Sequence, residues 1–216
     1  MAILSEDVIR EIRGMVKGLT GPVKLLVFTQ DAECELCETN RALMEEIAST
    51  SDRLSVKICD FVSDKETADA YQIDKIPATI VAGEKDHGIR FYGIPSGHEF
   101  LSLIEAIKMV SAGDSMLLES TREQLKSVGQ PVHIQVFVTP NCPYCMAVVQ
   151  TAHRMAMECD LITADMVEAT EFPALAQQYD IFYVPKTVIN ETTEFIGEVS
   201  ELDFLEHVMQ ARQAGH

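Results

Sequence analysis

The chain has 216 residues, 17 of them basic and 34 acidic, for a formal net charge of −17; apolar residues make up 47% and charged ones 24%. This is the composition of one or two globular domains rather than of a disordered chain, and the charge repels nucleic acid and anionic lipid, with no basic patch to offset it. No apolar run nears the ~20 residues of a transmembrane helix. The start, Met1-Ala2-Ile3-Leu4-Ser5-Glu6-Asp7, lacks the basic-then-apolar pattern of a signal peptide, so a cytoplasmic protein is expected, with neither nucleic acid nor membrane as a partner.

In chain order, the pattern predicts a helix over residues 5–17, then a strand over 22–29 that opens on Pro22 and is rich in β-branched and aromatic residues. Cys34-Glu35-Leu36-Cys37 follows, and then a helix over 38–49 with Leu43, Met44 and Ile47 on one face. A strand over 54–61 and a helix-like stretch lead to Ile76-Pro77, a hairpin with a loop at 83–88, the tail 91–100 and a closing helix. The boundary is placed near Gly113.

The same order then recurs: a helix over 115–128, a strand over 131–139, Cys142-Pro143-Tyr144-Cys145, a helix over 146–157, a strand from Leu161 to Val167, Val184-Pro185, and a tail at 195–204. The two Cys-x-x-Cys motifs are 108 residues apart (142 − 34), as are the two prolines (185 − 77). Two repeats of this size are a domain duplication, residues 1–113 and 114–216, rather than a solenoid.

Each motif falls at a strand-to-helix junction, where free N–H groups and the helix dipole favour an anion. A thiolate is the reactive form of cysteine, and such a place lowers its pKa from the ordinary ~8.5. Cys34 and Cys142 are therefore the expected nucleophiles. Cys37 and Cys145, one helical turn later, are the expected resolving thiols that break the mixed disulfide. Pro77 and Pro185 each follow a β-branched residue at a strand start. Sequence leaves open whether these bonds are cis or are trans at an edge strand.

These residues carry a resemblance. Each half resembles the thioredoxin/glutaredoxin superfamily, and Cys142-Pro143-Tyr144-Cys145 is identical to the glutaredoxin active-site tetrapeptide. The tandem resembles the protein disulfide oxidoreductase family. It is similar, too, to the N-terminal domain of the alkyl hydroperoxide reductase flavoprotein, which the segment Tyr92-Gly93-Ile94-Pro95-Ser96-Gly97-His98-Glu99-Phe100 matches closely.

The resemblance implies an α/β fold of two tandem units, thioredoxin-like over 1–113 and glutaredoxin-like over 114–216, with mixed central sheets flanked by helices and joined in one continuous sheet. It implies cis prolines at Pro77 and Pro185 facing the cysteine pairs, and substrate peptide paired with the backbone of Ile76 and Val184. The implied activity is reduction, exchange or isomerisation of protein disulfides, with no bound cofactor beyond the redox-active disulfides. Electrons would come from an NAD(P)H-dependent flavin reductase resembling thioredoxin reductase, and a peroxiredoxin is an implied partner.

The sequence also departs from the family. It has no Trp, and Phe28 and Val136 stand where thioredoxin has a buried acid that takes the resolving thiol's proton. No glutathione-binding set is evident.

The two sites are expected to differ. Asp31, Glu33, Glu35 and Glu38 crowd the first motif, and no acid crowds the second. Negative charge disfavours a thiolate, so Cys34 should have the higher pKa and Cys142/Cys145 the more oxidising potential. Cys59 in a strand and Cys159 near a helix end read as structural. His98 reads as a cap of the helix closing the first unit. Histidines at 87, 98, 133, 153, 207 and 216 show no metal-ligand spacing. The rival functions are a dedicated electron carrier from a flavin reductase to a peroxiredoxin and, more remotely, a Cys₄ zinc protein, although structural zinc pairs lie much closer in sequence.

Overall fold

The computed structural model describes residues 3–211; Met1, Ala2, His216 and the rest of the carboxy-terminal end lie outside the described residues. The elements are α1 (Glu6–Met15), β1 (Val23–Thr29), α2 (Cys37–Ala48), β2 (Leu54–Asp60), α3 (Lys65–Ala70), β3 (Ala78–Ala82), β4 (Ile89–Tyr92) and α4 (Glu99–Ala112). The same series follows as α5 (Glu119–Leu125), β5 (Val132–Val138), α6 (Cys145–Glu158), β6 (Ile162–Glu168), α7 (Pro173–Gln178), β7 (Lys186–Ile189), β8 (Thr193–Ile196) and α8 (Glu201–Ala211). Among the described residues no helix is long and apolar enough to cross a membrane.

All strands form one mixed eight-stranded sheet in the order β2-β1-β3-β4-β6-β5-β7-β8. Within each half a parallel pair is followed by two antiparallel steps: β1 pairs with β2 and β3, and β3 with β4, as β5 pairs with β6 and β7, and β7 with β8. The two-residue period of a strand sends alternate side chains to opposite faces. Leu25 and Val27 of β1 join the larger core under α1, α2, α4, α5, α6 and α8, whereas Leu26 and Phe28 join a smaller core with α3 and α7.

The helix predicted over 115–128 is shorter, running from Glu119 to Leu125. An Asx turn holds the chain ahead of it: Met116 N–H donates to the Asp114 carboxylate and Met116 is left-handed, with φ 60°. Gly113 ends α4 in the left-handed region, φ 70°, its N–H closing onto Met109 and Val110 carbonyls, a conformation that favours glycine.

The halves meet where β4 pairs in parallel with β6, Phe91 opposite Met166. The α4 and α6 helices cover this seam and run in the same sense. At their starts His98 N–H donates to the Pro140 carbonyl at 3.1 Å, and past their far ends Ser115 Oγ donates to Glu158 at 2.6 Å. Phe91 is fully buried, 4.8 Å from the ring of His153. Burial pushes the His153 imidazole down to about 4, so it sits neutral beneath the seam. Phe91→Ala should lower stability by roughly 3–5 kcal/mol, read from denaturant unfolding. A loss below about 1 kcal/mol would mean that the seam is held by other contacts.

Candidate active sites

Cys34 is joined to Cys37 and Cys142 to Cys145, with Cα atoms 5.4 and 5.5 Å apart. Sheet register puts each pair beside a proline. Phe28 of β1 lies opposite Ala78, and Phe137 of β5 opposite Lys186. The chain runs on from Phe28 to Cys34 and from Phe137 to Cys142, while Pro77 and Pro185 immediately precede Ala78 and Lys186. The Ile76–Pro77 and Val184–Pro185 bonds are cis, and both prolines are buried. Among the described residues neither Ile76 nor Val184 spends its main-chain N–H or C=O on an internal hydrogen bond. These groups stand free at the end of the sheet from which the cysteine loops leave.

The helices do not start at the nucleophile positions. Leu36 and Tyr144 are the N-cap residues, and α2 and α6 begin at Cys37 and Cys145. Cys34 and Cys142 lie in the preceding turns, where Cys37 N–H approaches the Cys34 carbonyl at 3.4 Å and Cys142 N–H donates to Thr139 at 3.1 Å. The dipole therefore acts on them from just beyond the helix end, a weaker position than the sequence implied.

The connection before Cys34 is one residue longer than that before Cys142: Phe28 and Phe137 are 109 apart (137 − 28), the cysteines 108. Glu33 absorbs the extra residue in the left-handed region, φ 62°, at a cost of about 1–2 kcal/mol for a residue with a Cβ. Asp31, Glu33, Glu35 and Glu38 are all exposed around this site. Cys34 is half-buried, whereas Cys142, Cys37 and Cys145 are buried.

Beneath the first disulfide, Asn40 follows Cys37 by three residues, donates from Nδ2 to Thr79 Oγ at 3.1 Å, and has no partner for its Oδ1. The repeat puts Val148 and Thr187 at these positions. A different buried polar group stands at the start of the helix packed against α6, and it comes from the first half. Glu99 opens α4 as Cys145 opens α6. Its side chain is buried, 1% exposed, and neither carboxylate oxygen has a hydrogen-bond partner. Burial pushes its pKa up to about 7, opposed only by the nearby Ser102 hydroxyl.

Gly97 makes this approach feasible. A Cβ there would lie 2.2 Å from the Pro140 carbonyl oxygen, and its φ is +59°. A second carboxylate, Glu171, accepts the Ile94 N–H at 3.0 Å across the seam and is likewise raised to about 7, mainly by burial.

Sequence reasoning missed Glu99 because it sought an acid on the strand before each motif. The only signal was an acid opening a helix directly after Gly97-His98, and its role depends on packing between repeats. His98 occupies the N-cap of α4, but its side chain makes no capping bond, and its backbone N–H points to Pro140 instead. The Cys59 thiol is buried in β2 and raised by desolvation, and Cys159 is half-buried at the end of α6.

A family model described as a thioredoxin domain matches residues 132–210. The crystal structure of a protein disulfide oxidoreductase from Aeropyrum pernix is 34% identical and superposes with a TM-score of 0.91 over 97% of this chain and 94% of that one. The N-terminal domain of the alkyl hydroperoxide reductase AhpF from Enterococcus faecalis is 26% identical, with a TM-score of 0.87 over 95% of this chain and 99% of that one. An alkyl hydroperoxide reductase polypeptide of Staphylococcus aureus is 29% identical over 94% of this chain but only 37% of its own length. An NADH dehydrogenase of Bacillus subtilis is 28% identical over 69% of this chain and 27% of its own length. The chain thus spans about a third of the length of these curated relatives. The duplicated strand–disulfide–helix unit, the continuous sheet and the match along the whole length of an archaeal counterpart agree: this chain belongs to the protein disulfide oxidoreductase family.

Proposed function

We propose that the chain reduces, exchanges or isomerises protein disulfides through two units, residues 1–113 and 114–216, each with its own Cys-x-x-Cys site. The observation that carries this reading is the pairing, at both sites, of a closed disulfide with a buried proline and a free main-chain edge at Ile76 or Val184. An extended client segment would pair with that edge and present its disulfide to the cysteines.

In the reducing direction, the Cys142 thiolate attacks one client sulfur and the other leaves as a thiolate. The Cys145 thiolate then attacks Cys142 Sγ, closing the protein disulfide and freeing the client's second thiolate. Two electrons pass to the client, and the departing thiolates take up two protons. Cys34 and Cys37 act alike at the first site. Glu99, set at the head of the helix abutting α6 with its pKa raised to about 7, is partly ionised at physiological pH, and its carboxylate form takes the proton that Cys145 must lose.

The disulfides are the chain's own redox groups, and electrons come from an NAD(P)H-dependent flavoprotein in a cytoplasm that keeps thiols reduced. Likeness along nearly the whole chain to part of an alkyl hydroperoxide reductase polypeptide favours a second reading, an electron carrier from such a flavoprotein to a peroxiredoxin.

Insulin-disulfide reduction and refolding of scrambled ribonuclease should both proceed with the wild-type chain, and at reduced rates in variants keeping one cysteine pair. Activity in neither assay, with either pair, would remove the reading.

The acids around the first motif should make Cys34/Cys37 the more reducing pair. Equilibrating each single-site protein with glutathione at pH 6, where Glu99 is neutral, should give the less negative potential at Cys142/Cys145. The reverse order would refute the electrostatic account.

Glu99→Gln should slow resolution by Cys145 roughly 10²-fold and erase a rate inflection near pH 7 in a protein retaining only the second pair. The carboxyl is raised in the folded state from its ordinary 4.5 to about 7. The unfolded chain therefore gives up its proton first, and wild-type stability should fall between those pH values. In the Gln variant this fall should shrink to the part that Glu171, raised in the same way, still contributes, and a variant whose rate profile with pH is unchanged would exclude Glu99 as the acceptor.

A further inference from the structure

The segments leading into Pro77 and Pro185 occupy the same place in the repeat but carry opposite surfaces. In the first unit the residues three and two before the proline are Asp74 and Lys75. Lys75 is ion-paired to Asp74 at 2.6 Å and lies 3.8 Å over the Tyr92 ring. In the second unit the same positions are Phe182 and Tyr183, 81% and 71% exposed. Tyr144, inside the Cys142–Cys145 loop, is 61% exposed, where the first unit has Leu36 flanked by Glu35 and Cys37.

Three exposed aromatic rings thus lie in the Cys142–Cys145 loop and in the segment leading into Pro185, where the first unit carries charged residues. A cluster of large exposed apolar side chains is unfavourable on a free surface unless something covers it. Here it flanks the groups that a client must approach, because register brings Pro185 and the Cys142 loop to one end of the sheet. The Phe182 segment is also held in shape: Phe182 N–H donates to Asp180 O at 3.0 Å, and Lys186 Nζ ties the following strand to the Tyr179 carbonyl at 2.8 Å. A preformed apolar rim costs little ordering on binding.

We propose that Phe182 and Tyr183, together with Tyr144, are specificity determinants of the Cys142–Cys145 site, which selects extended client segments with apolar or aromatic residues beside the cysteine. The inference rests on the oxidoreductase reading above. The rings act on the encounter and on the mixed disulfide between Cys142 and the client, and the exchange itself is unchanged: the Cys142 thiolate displaces the client's other sulfur, which leaves as a thiolate. The first site, with its acids and its Asp74–Lys75 pair, lacks this preference.

Two peptides of equal length test this, each with one cysteine capped as a mixed disulfide with 5-thio-2-nitrobenzoate, the first flanking it with Leu and Phe, the second with Ser and Gln. Release of the coloured thiolate is followed with reduced protein. A protein carrying Cys34→Ser and Cys37→Ser should react about tenfold faster with the apolar peptide, the equivalent of ~1.4 kcal/mol. Adding Phe182→Asp and Tyr183→Lys, which copies the first unit at exposed positions, should abolish the difference. Its reaction with the free symmetrical nitrobenzoate disulfide is followed alongside, to report that the cysteine pair is intact and reactive. The Cys142→Ser, Cys145→Ser protein should show no preference.

A preference that survives the Phe182 and Tyr183 substitutions, or the absence of one at the intact second site, overturns the inference and leaves the oxidoreductase reading standing. Failure of either site to react even with the symmetrical disulfide would instead overturn that reading.

Discussion

The parallel pairing of β4 with β6 is the constraint on which the rest of the molecule depends. It turns two four-stranded sheets into one and forces α4 of the first half alongside α6 of the second. The buried carboxyl of the second half's seam follows from that contact. The loop entering α4 is pressed onto the Pro140 carbonyl closely enough to require glycine at position 97, and its next residues deliver Glu99 into a dry interface beside the helix that begins with Cys145. A carboxyl without a hydrogen-bond partner is costly to bury. It is tolerated here because below about pH 7 it is protonated and so is buried uncharged.

Duplication alone would suggest equal sites, but the helix that closes the first half packs against α6 of the second and carries its opening acid with it. The position corresponding to Glu99 in the second half is Asp203, which is exposed and hydrogen-bonded to Ser200 at 2.7 Å. In the first half the buried polar group near the motif is Asn40, held by Thr79. The acids at Asp31, Glu33, Glu35 and Glu38 add a second, outer difference between the sites.

Much of the fold was legible because its signals are local. Proline-opened β-branched runs, a Cys-x-x-Cys before a helical pattern and a 108-residue repeat specify strands, helices and their order, and each boundary falls within a few residues. The helix expected from residue 115 fails for a local reason too: Asp114 captures the Met116 N–H and diverts the chain before the helix can start. The cysteines and prolines were legible because chemistry demands those residue types. Glu99 was not, since its burial comes from contact with the other repeat. Phe182 and Tyr183 were also overlooked, because a sequence cannot say that two aromatics preceding a proline stay in solvent.

Outer and inner charges act on the second disulfide in opposite senses. The lack of acids around Cys142 favours its thiolate and so an oxidising pair. Glu99, once ionised above about pH 7, places a negative charge in a poorly screened interface next to the same helix start, which disfavours the thiolate. Below that pH the carboxyl is neutral, and only the outer difference separates the sites. The residue proposed to speed resolution would thus tie the second site's oxidising strength to pH, while the acids of the first site are exposed and partly screened by salt. A division of labour between two copies of one unit thus draws on the seam that joins them, on acids that crowd only the first motif and on aromatic residues exposed only in the second half.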